Sequence, residues 1–564
     1  MRIWSVLVGV VVVHAGCSGQ ARDFSNEAQA GSDSAGGSAG SSNTSGAAAQ
    51  GGTSAPSAGG AAGEDGAGAV AGADGEPLAI LAFSPAAGSA TVRDVIKITF
   101  SRPVTEASVA AAITVEDKRG EVAGTFEVSG QVVEFRPRRG LCFAESYDVS
   151  VATSLLAADG EPLEGEASYE FTIPDGSWSA AEKVGEANVM RDLSAALDDE
   201  GNVLLAWMAK DVPALTYSAA GDSAWDDVLE LDFPGDQQSV AMPVVRLRAG
   251  RGLVLFPGDG LAEHTTDGEW IMTPLADLTG AALHFNHPNV GISGNGQALL
   301  AWDNQVGKDD AYIFVASSEG AGEPWLAPTE PLVGAWVVRP TVHPAPDGSF
   351  VIDYEKRESA QAPGTLTARR YPQDAGLTDE QQLIAVGAGV SAHDSFGNVV
   401  VAARFDGASS KFDAQTGEWT PLPALPAGIG PDGVALAGDG TVFVAYREAD
   451  LANNVYRLLV RKLADNTWSE ATEIVKGAVS QDFLGISADD CGNAHILWSE
   501  LTSSRSVYAR RYTPAASWKP PILIASPKLL VPEHSSNSRG EAVYGFGRGG
   551  LTVEESEPHL VRFH

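Results

Sequence analysis

Ten histidines, three cysteines and 73 acidic side chains are the stock from which a chemical site in this 564-residue chain would be built. With so many acids, neighbouring carboxylates are inevitable. A pair suited to glycoside cleavage therefore carries little information by itself. His284 and His287 have a ligand-like spacing, but no third donor stands near them in the sequence. Asp198-Asp199-Glu200-Gly201 lacks the alternating oxygen ligands of a calcium loop. No metal, no cofactor and no catalytic residue is expected. His495 lies inside an apolar run and reads as a satisfied core histidine. Cys142 reads as a small buried hydrophobe and Cys491 sits in a turn, so two free thiols are expected. What remains is a set of polar residues, each a few positions ahead of a recurring glycine: Asp192, His287, Arg339, Asp432, Asp482 and His534.

That glycine is the key to the elements that hold them. It recurs at 201, 250, 296, 348, 397, 440, 492 and 540. Six positions after each stand Trp207, Phe256, Trp302, Tyr354, Ala403, Tyr446, Trp498 and Phe546. Seven of these eight are aromatic in a chain that is 7% aromatic overall, so the period is real. Repeats are read first because they dictate the fold. The glycine, flanked by Asp or Asn, suits a hairpin turn that needs positive φ. The strand after it is apolar on both faces, as in Val203-Leu204-Leu205, so it must be covered on both faces. A sheet packed between two like sheets meets that condition.

A second marker is a tryptophan expected to open the last strand of each unit: Trp178, Trp225, Trp270, Trp325, Trp419, Trp468 and Trp518. The unit holding Tyr354 lacks it and is expected to use Leu377. The region begins with an orphan last strand at 178–184 and stops after an orphan third strand at 559–563. Joined, they complete one sheet from both termini. The expectation is a β-propeller over 178–564 with eight blades, seven being the alternative. The repeat resembles the broad sialidase-like and WD-type propellers in architecture. Sialidases carry a Ser-x-Asp-x-Gly-x-Thr-Trp box and an arginine triad. Ser487-Ala488-Asp489-Asp490-Cys491-Gly492 has the wrong spacing for that box, and Arg339-Pro340 alone makes no triad. In a propeller the six polar residues above would ring the channel mouth as a candidate ligand site, or simply form a solvated rim.

Upstream, residues 78–174 hold about seven short runs with period-two alternation, such as Ile96-Lys97-Ile98-Thr99-Phe100. This pattern predicts a β-sandwich of Ig type. Ser84-Pro85, Ser101-Arg102-Pro103-Val104, Val133-Glu134-Phe135-Arg136-Pro137 and Asp159-Gly160 resemble the bacterial Ig-like domain of surface-layer and other exported proteins. That resemblance implies a spacer or adhesion module. The fold class is therefore all-β.

Residues 1–17 read as an export signal: Arg2, an apolar run, then Ala15-Gly16-Cys17. The ending resembles a bacterial lipobox, with His14 where that family usually has Leu, and implies lipidation of Cys17. Residues 18–77 are a Gly/Ala/Ser tether too poor in large apolar groups to fold. The net charge of −36 argues against a nucleic-acid partner. The expected protein is exported, lipid-anchored at the membrane, and displayed at the cell envelope. Binding or scaffolding of an extracellular protein or glycan is its expected role, not catalysis. The alternatives are a glycan-active hydrolase or lyase working at the mouth, and a purely structural envelope component.

Overall fold

The computed structural model describes residues 77–564 apart from short internal segments, the longest being 234–241. Signal, Cys17 and nearly all of the tether lie outside the described residues.

The first domain is a two-sheet sandwich. One sheet is built from Ile80–Ser84, Ile96–Phe100, Val132–Pro137 and Gly124–Ser129. The other takes Gly120–Glu121, Ile113–Asp117, Ser146–Val151 and Ala167–Thr172. Alternation puts Ile96, Ile98 and Phe100 inside, against Tyr147, Val149 and Val151 from the facing sheet. One feature departs from the pure β expectation: Glu106–Ala112 forms a short helix before its strand. Its run of Ala and Glu favours helix over strand.

The second region is eight antiparallel sheets, spanning 190–230, 244–274, 286–318, 337–384, 389–421, 433–477, 481–525 and 533–563. They are numbered here as blades 1 to 8. Each innermost strand touches the next, and that of blade 8 touches that of blade 1, so the ring is closed. The last sheet is completed by the strand Glu182–Lys183, which pairs with Ser556–Phe563. Ser179 and Val184 add backbone bonds to Arg562 and Pro558, and a bridge joins Trp178 to Phe563. Lys183–Glu557 and Arg562–Glu182 pair across the same seam. Both ends of the region thus share one blade, in which Glu182–Lys183 covers Ser556–Phe563 and forms the outer edge.

The second strand of each blade is the core. Val203, Leu204, Leu205, Ala206 and Trp207 are all fully buried, as are Val399, Val400 and Val401. The recurrent position holds Trp207, Trp302, Tyr354 and Trp498 at no more than 1% exposure, wedged between neighbouring blades. The turns before these strands share a side-chain lock. In blade 1 the Asn202 N–H donates to Asp198 Oδ1 and its amide to Oδ2, both at 2.8 Å. Asp394 with Asn398 and Asp489 with Asn493 repeat the arrangement. The glycine between them has φ near +85°, as at Gly201 and Gly397, which an L side chain adopts only with strain.

The tryptophan marker is less uniform than expected. Trp270 does open the last strand of blade 2, Trp270–Pro274. In blades 6 and 7 it belongs instead to a two-residue strand, Thr467–Trp468 or Ser517–Trp518, and the outer strand proper follows at Thr472–Gly477 or Ile522–Ala525. Blade 4 uses Gln381–Ile384, and Leu377 lies outside the described residues.

Cys142 and Cys491 correct the expectation of free thiols. They form a disulfide between the Ig-like domain and the turn of blade 7. The 349 residues between them hid the pairing, because only docking of the two domains brings their Cα atoms to 5.8 Å. Around it Arg93 forks onto Glu541 at 2.6 and 3.2 Å, Arg119 donates to the Cys491 carbonyl, and Arg138 lies over Phe396. All these propeller partners stand at the turn ends of the inner strands. The Ig-like domain therefore sits on that face of the ring.

His495 is buried as expected, but among rings. Phe563 lies 4.5 Å from it and Trp178 5.9 Å. Burial, helped by His534, holds its pKa down to about 3, so it packs as a neutral aromatic.

Candidate functional site at the propeller channel

Eight inner strands surround a channel of about 700 Å³. Their alternation turns every second side chain toward it. Of the six residues expected at its mouth, Asp192, His287 and His534 line the channel. Arg339, Asp432 and Asp482 do not. Arg339 approaches Glu355 at 3.8 Å on the next strand of its own blade. Asp432 receives two hydrogen bonds from Arg447, at 2.8 and 3.0 Å, in a separate cleft with Tyr456 and Arg457. Arg339 and Asp482 stand beside bulges, whereas Asp432 lies just ahead of the unbulged inner strand Gly433–Leu436. Inner strands of blades 1, 3, 4 and 7 shift register near their leading ends. Each bulge re-aims the side chains around it.

The same bulges leave a mark on the backbone. Asp192, His287 and Arg339 all have positive φ, 56°, 43° and 57°. Trp336, whose ring borders the channel, is also left-handed at 44°. Such conformations cost energy in a non-glycine residue and collect at functional sites. His287 is oriented by Asp303, with Nδ1 2.8 Å from Oδ1, and the Arg339 N–H donates to the same oxygen at 3.1 Å.

Deeper in the channel stand residues the sequence reading missed. Arg246 and Arg248 come from the inner strand of blade 2, His343 from blade 4 and His393 from blade 5. His343 Nε2 is 2.5 Å from Asp353 Oδ2, and its Nδ1 is 3.3 Å from Nδ1 of His393. The signal for Arg246 and Arg248 was their spacing of two on a strand otherwise apolar, Val244-Val245-Arg246-Leu247-Arg248.

The turn end of the channel is crossed by hydrogen bonds. Ser395 Oγ donates to Asp490 Oδ2 at 2.5 Å, from blade 5 to blade 7. The Asp490 N–H donates to the Ser538 carbonyl at 2.8 Å, and Ser538 Oγ to Asp199 at 2.7 Å. Burial, reinforced by Asp199, Asp489 and Asp394, pushes Asp490 up to about 8. At neutral pH it is mostly protonated. Burial likewise lowers His534 to about 4, leaving it neutral beside Ser487 Oγ at 3.3 Å. The channel is thus a funnel with a mixed, strained mouth and a floor laced together on the side covered by the Ig-like domain.

Residues 74–173 match the family model of the bacterial Ig-like domain. No curated protein sequence matches the chain. Among solved structures, similar propellers include a catalytically inactive virginiamycin B lyase of Staphylococcus aureus with quinupristin. It is 10% identical, covering 68% of this chain and 99% of that one, with a TM-score of 0.37. YCF48 bound to D1 peptide is 12% identical over 68% and 94%, TM-score 0.36. A polysaccharide lyase of family PL25, an ulvan lyase, is 10% identical over 67% and 95%, TM-score 0.39. These neighbours mix lyases with a peptide-bound protein, so no one activity follows from them. A bacterial Ig-like domain and a disulfide together point to an extracytoplasmic protein.

Proposed function

We propose that this is a cell-surface binding protein, lipid-anchored through Cys17, which offers the open mouth of its propeller to an extracellular protein or glycan. One observation carries the reading. The Ig-like domain is fastened to the turn face by Cys142–Cys491 and by Arg93–Glu541, so the mouth bearing Asp192, His287 and Trp336 lies on the opposite face of the ring. A tether of about 60 residues would give a mean reach of roughly 40–45 Å from the membrane. An aromatic ring beside carboxylate and imidazole groups suits a polar, ring-bearing ligand. The protein acts in this reading as a binder and not as a catalyst.

The purified protein, screened against glycans and envelope fractions, should capture a ligand that a combined Asp192→Asn and His287→Gln variant no longer holds. Capture indifferent to both substitutions would sink the proposal. Cys17→Ser should move the protein from the membrane to the soluble fraction, and an unmodified N-terminus in the native protein would reject the anchor. The second reading, a glycan-cleaving lyase or hydrolase, draws on the His287–Asp303 and His343–Asp353 pairs as potential bases. Turnover of polysaccharides that disappears with His343→Gln would promote it.

A further inference from the structure

Four of the ten histidines line the channel: His287, His343, His393 and His534. The chain as a whole carries a charge of −36, yet the channel wall holds Arg246 and Arg248, two positions apart on one strand. His393 is exposed to the channel and lies within electrostatic reach of both guanidinium groups. Behind it runs a relay. A carboxylate can only accept, so the Nε2 proton of His343 is directed at Asp353. Nδ1 of His343 and Nδ1 of His393 share one proton across 3.3 Å. Nε2 of His393 is the ring nitrogen outside this contact.

We infer that the inner half of the channel binds an anionic group, a carboxylate or a sulfate borne by a saccharide, between Arg246, Arg248 and His393, and that His393 takes up a proton as the anion arrives. The inference rests on the mouth being a ligand site and names the chemistry of what enters it. Guanidinium forks match the oxygen geometry of both anions. A divalent cation is the competing occupant for facing imidazoles. It would confront two arginines, and among the described residues no group of three metal-ligating side chains gathers there. A channel of about 700 Å³ has room for a sugar unit.

The proton follows from the neighbours of His393. Desolvation by the crowded channel wall first, then His343, Arg248 and Arg246, holds its pKa well below the usual histidine value, so it is neutral at pH 7. Asp394 follows it on its own strand, Asp353 stands behind His343, and Asp199 and Asp490 face Arg248. With Asp490 pushed up to about 8, Asp199 and Glu200 are the other carboxylates that act on Arg248. An anion placed beside His393 counters the two arginines and favours the imidazolium. Binding should therefore tighten as pH falls.

The test is ligand-observed saturation-transfer NMR on the purified protein with glucuronate, glucose as neutral control and inorganic sulfate as competitor, at pH ~5.5 and ~7.5. Glucuronate should give a signal that is stronger at the lower pH. Glucose should give none. Displacement by sulfate would assign the site to anions generally, and glucuronate binding that sulfate cannot displace would narrow it to carboxylates. Arg246→Gln with Arg248→Gln should weaken binding by about tenfold or more. His393→Gln should weaken it and flatten its pH dependence, which a merely structural role would not do. Equal signals from glucose and glucuronate would overturn the inference. So would binding left intact by the arginine pair or by His393→Gln. If an envelope ligand is captured at the mouth while glucuronate and sulfate both fail to bind, this inference falls and the binding role stands.

Discussion

Phe563, in the strand Ser556–Phe563, is the most demanding single test of how the two ends of the propeller and the two domains are joined. Its ring is 3% exposed and meets Phe143 of the Ig-like domain at 5.4 Å, Trp178 at 5.5 Å and His495 at 4.5 Å. The Arg511 guanidinium lies over both rings, 4.9 Å from Phe563 and 5.2 Å from Phe143, with Asp175 as its ionic partner. Burial lowers the pKa of Arg511 to about 10, so it remains charged at pH 7. Phe563→Ala removes the ring and leaves a cavity. Such deletions cost about 3–5 kcal/mol. Losing aromatic pairs worth about 0.5–1.5 kcal/mol each places this one at the upper end. A cation–π contact with a desolvated arginine adds to the same loss. Against a typical domain stability of ~5–15 kcal/mol, that is a large fraction. Urea unfolding followed by tryptophan fluorescence should show a fall of about 4–5 kcal/mol. Leu523→Ala, at a side chain 53% exposed, should stay within about 0.5 kcal/mol of the parent. A loss below about 1 kcal/mol for Phe563→Ala would refute the argument, because a ring so enclosed cannot leave at that cost.

Removing the disulfide with Cys142→Ser and Cys491→Ser should cost about 2–4 kcal/mol, and reductant should shift the denaturation midpoint of the parent but not of the variant. Gly201→Ala should destabilise by more than about 1 kcal/mol, because φ is +88° and a Cβ there would collide with the Arg93 guanidinium. Gly296→Ala, at φ +86° with open space around it, should cost less, and equal losses would mean that the Arg93 contact is unimportant. For Asp490 the raised folded pKa means that the unfolded chain releases its proton first. Its contribution is therefore complete below the usual carboxylate pKa and is lost as pH rises toward about 8, at about 1.4 kcal/mol per pH unit. The buried histidines, lowered to about 3 and 4, act in the opposite sense only below their usual value near 6.5. Between pH ~6.5 and ~8 the stability advantage of Asp490→Asn over the parent should thus widen, and a constant difference in thermal midpoint would contradict the shift.

What the chain determines locally was legible from its residues. Glycine needs at 201, 250 and 296, and the aromatic six positions later, are properties of one hairpin and one doubly covered strand. They recur because each blade solves the same packing problem, so the period and the number of blades could be read from the residues, whereas the strands per blade vary from three to five. The orphan strands at the two ends were legible for a similar reason: an incomplete sheet must find its missing member. The channel residues were not. Which side chain faces inward depends on bulges such as those near Asp192 and Phe483, and one extra residue in a strand reverses every inward assignment beyond it. The relay from Asp353 through His343 to His393 joins adjacent blades, and Ser395–Asp490 reaches from blade 5 past blade 6 to blade 7. Those contacts, like Cys142–Cys491, arise only when segments far apart in the chain are docked against each other. Neither spacing nor composition encodes the distance between them, because it is set by ring closure and by the seat of the Ig-like domain on the turn face.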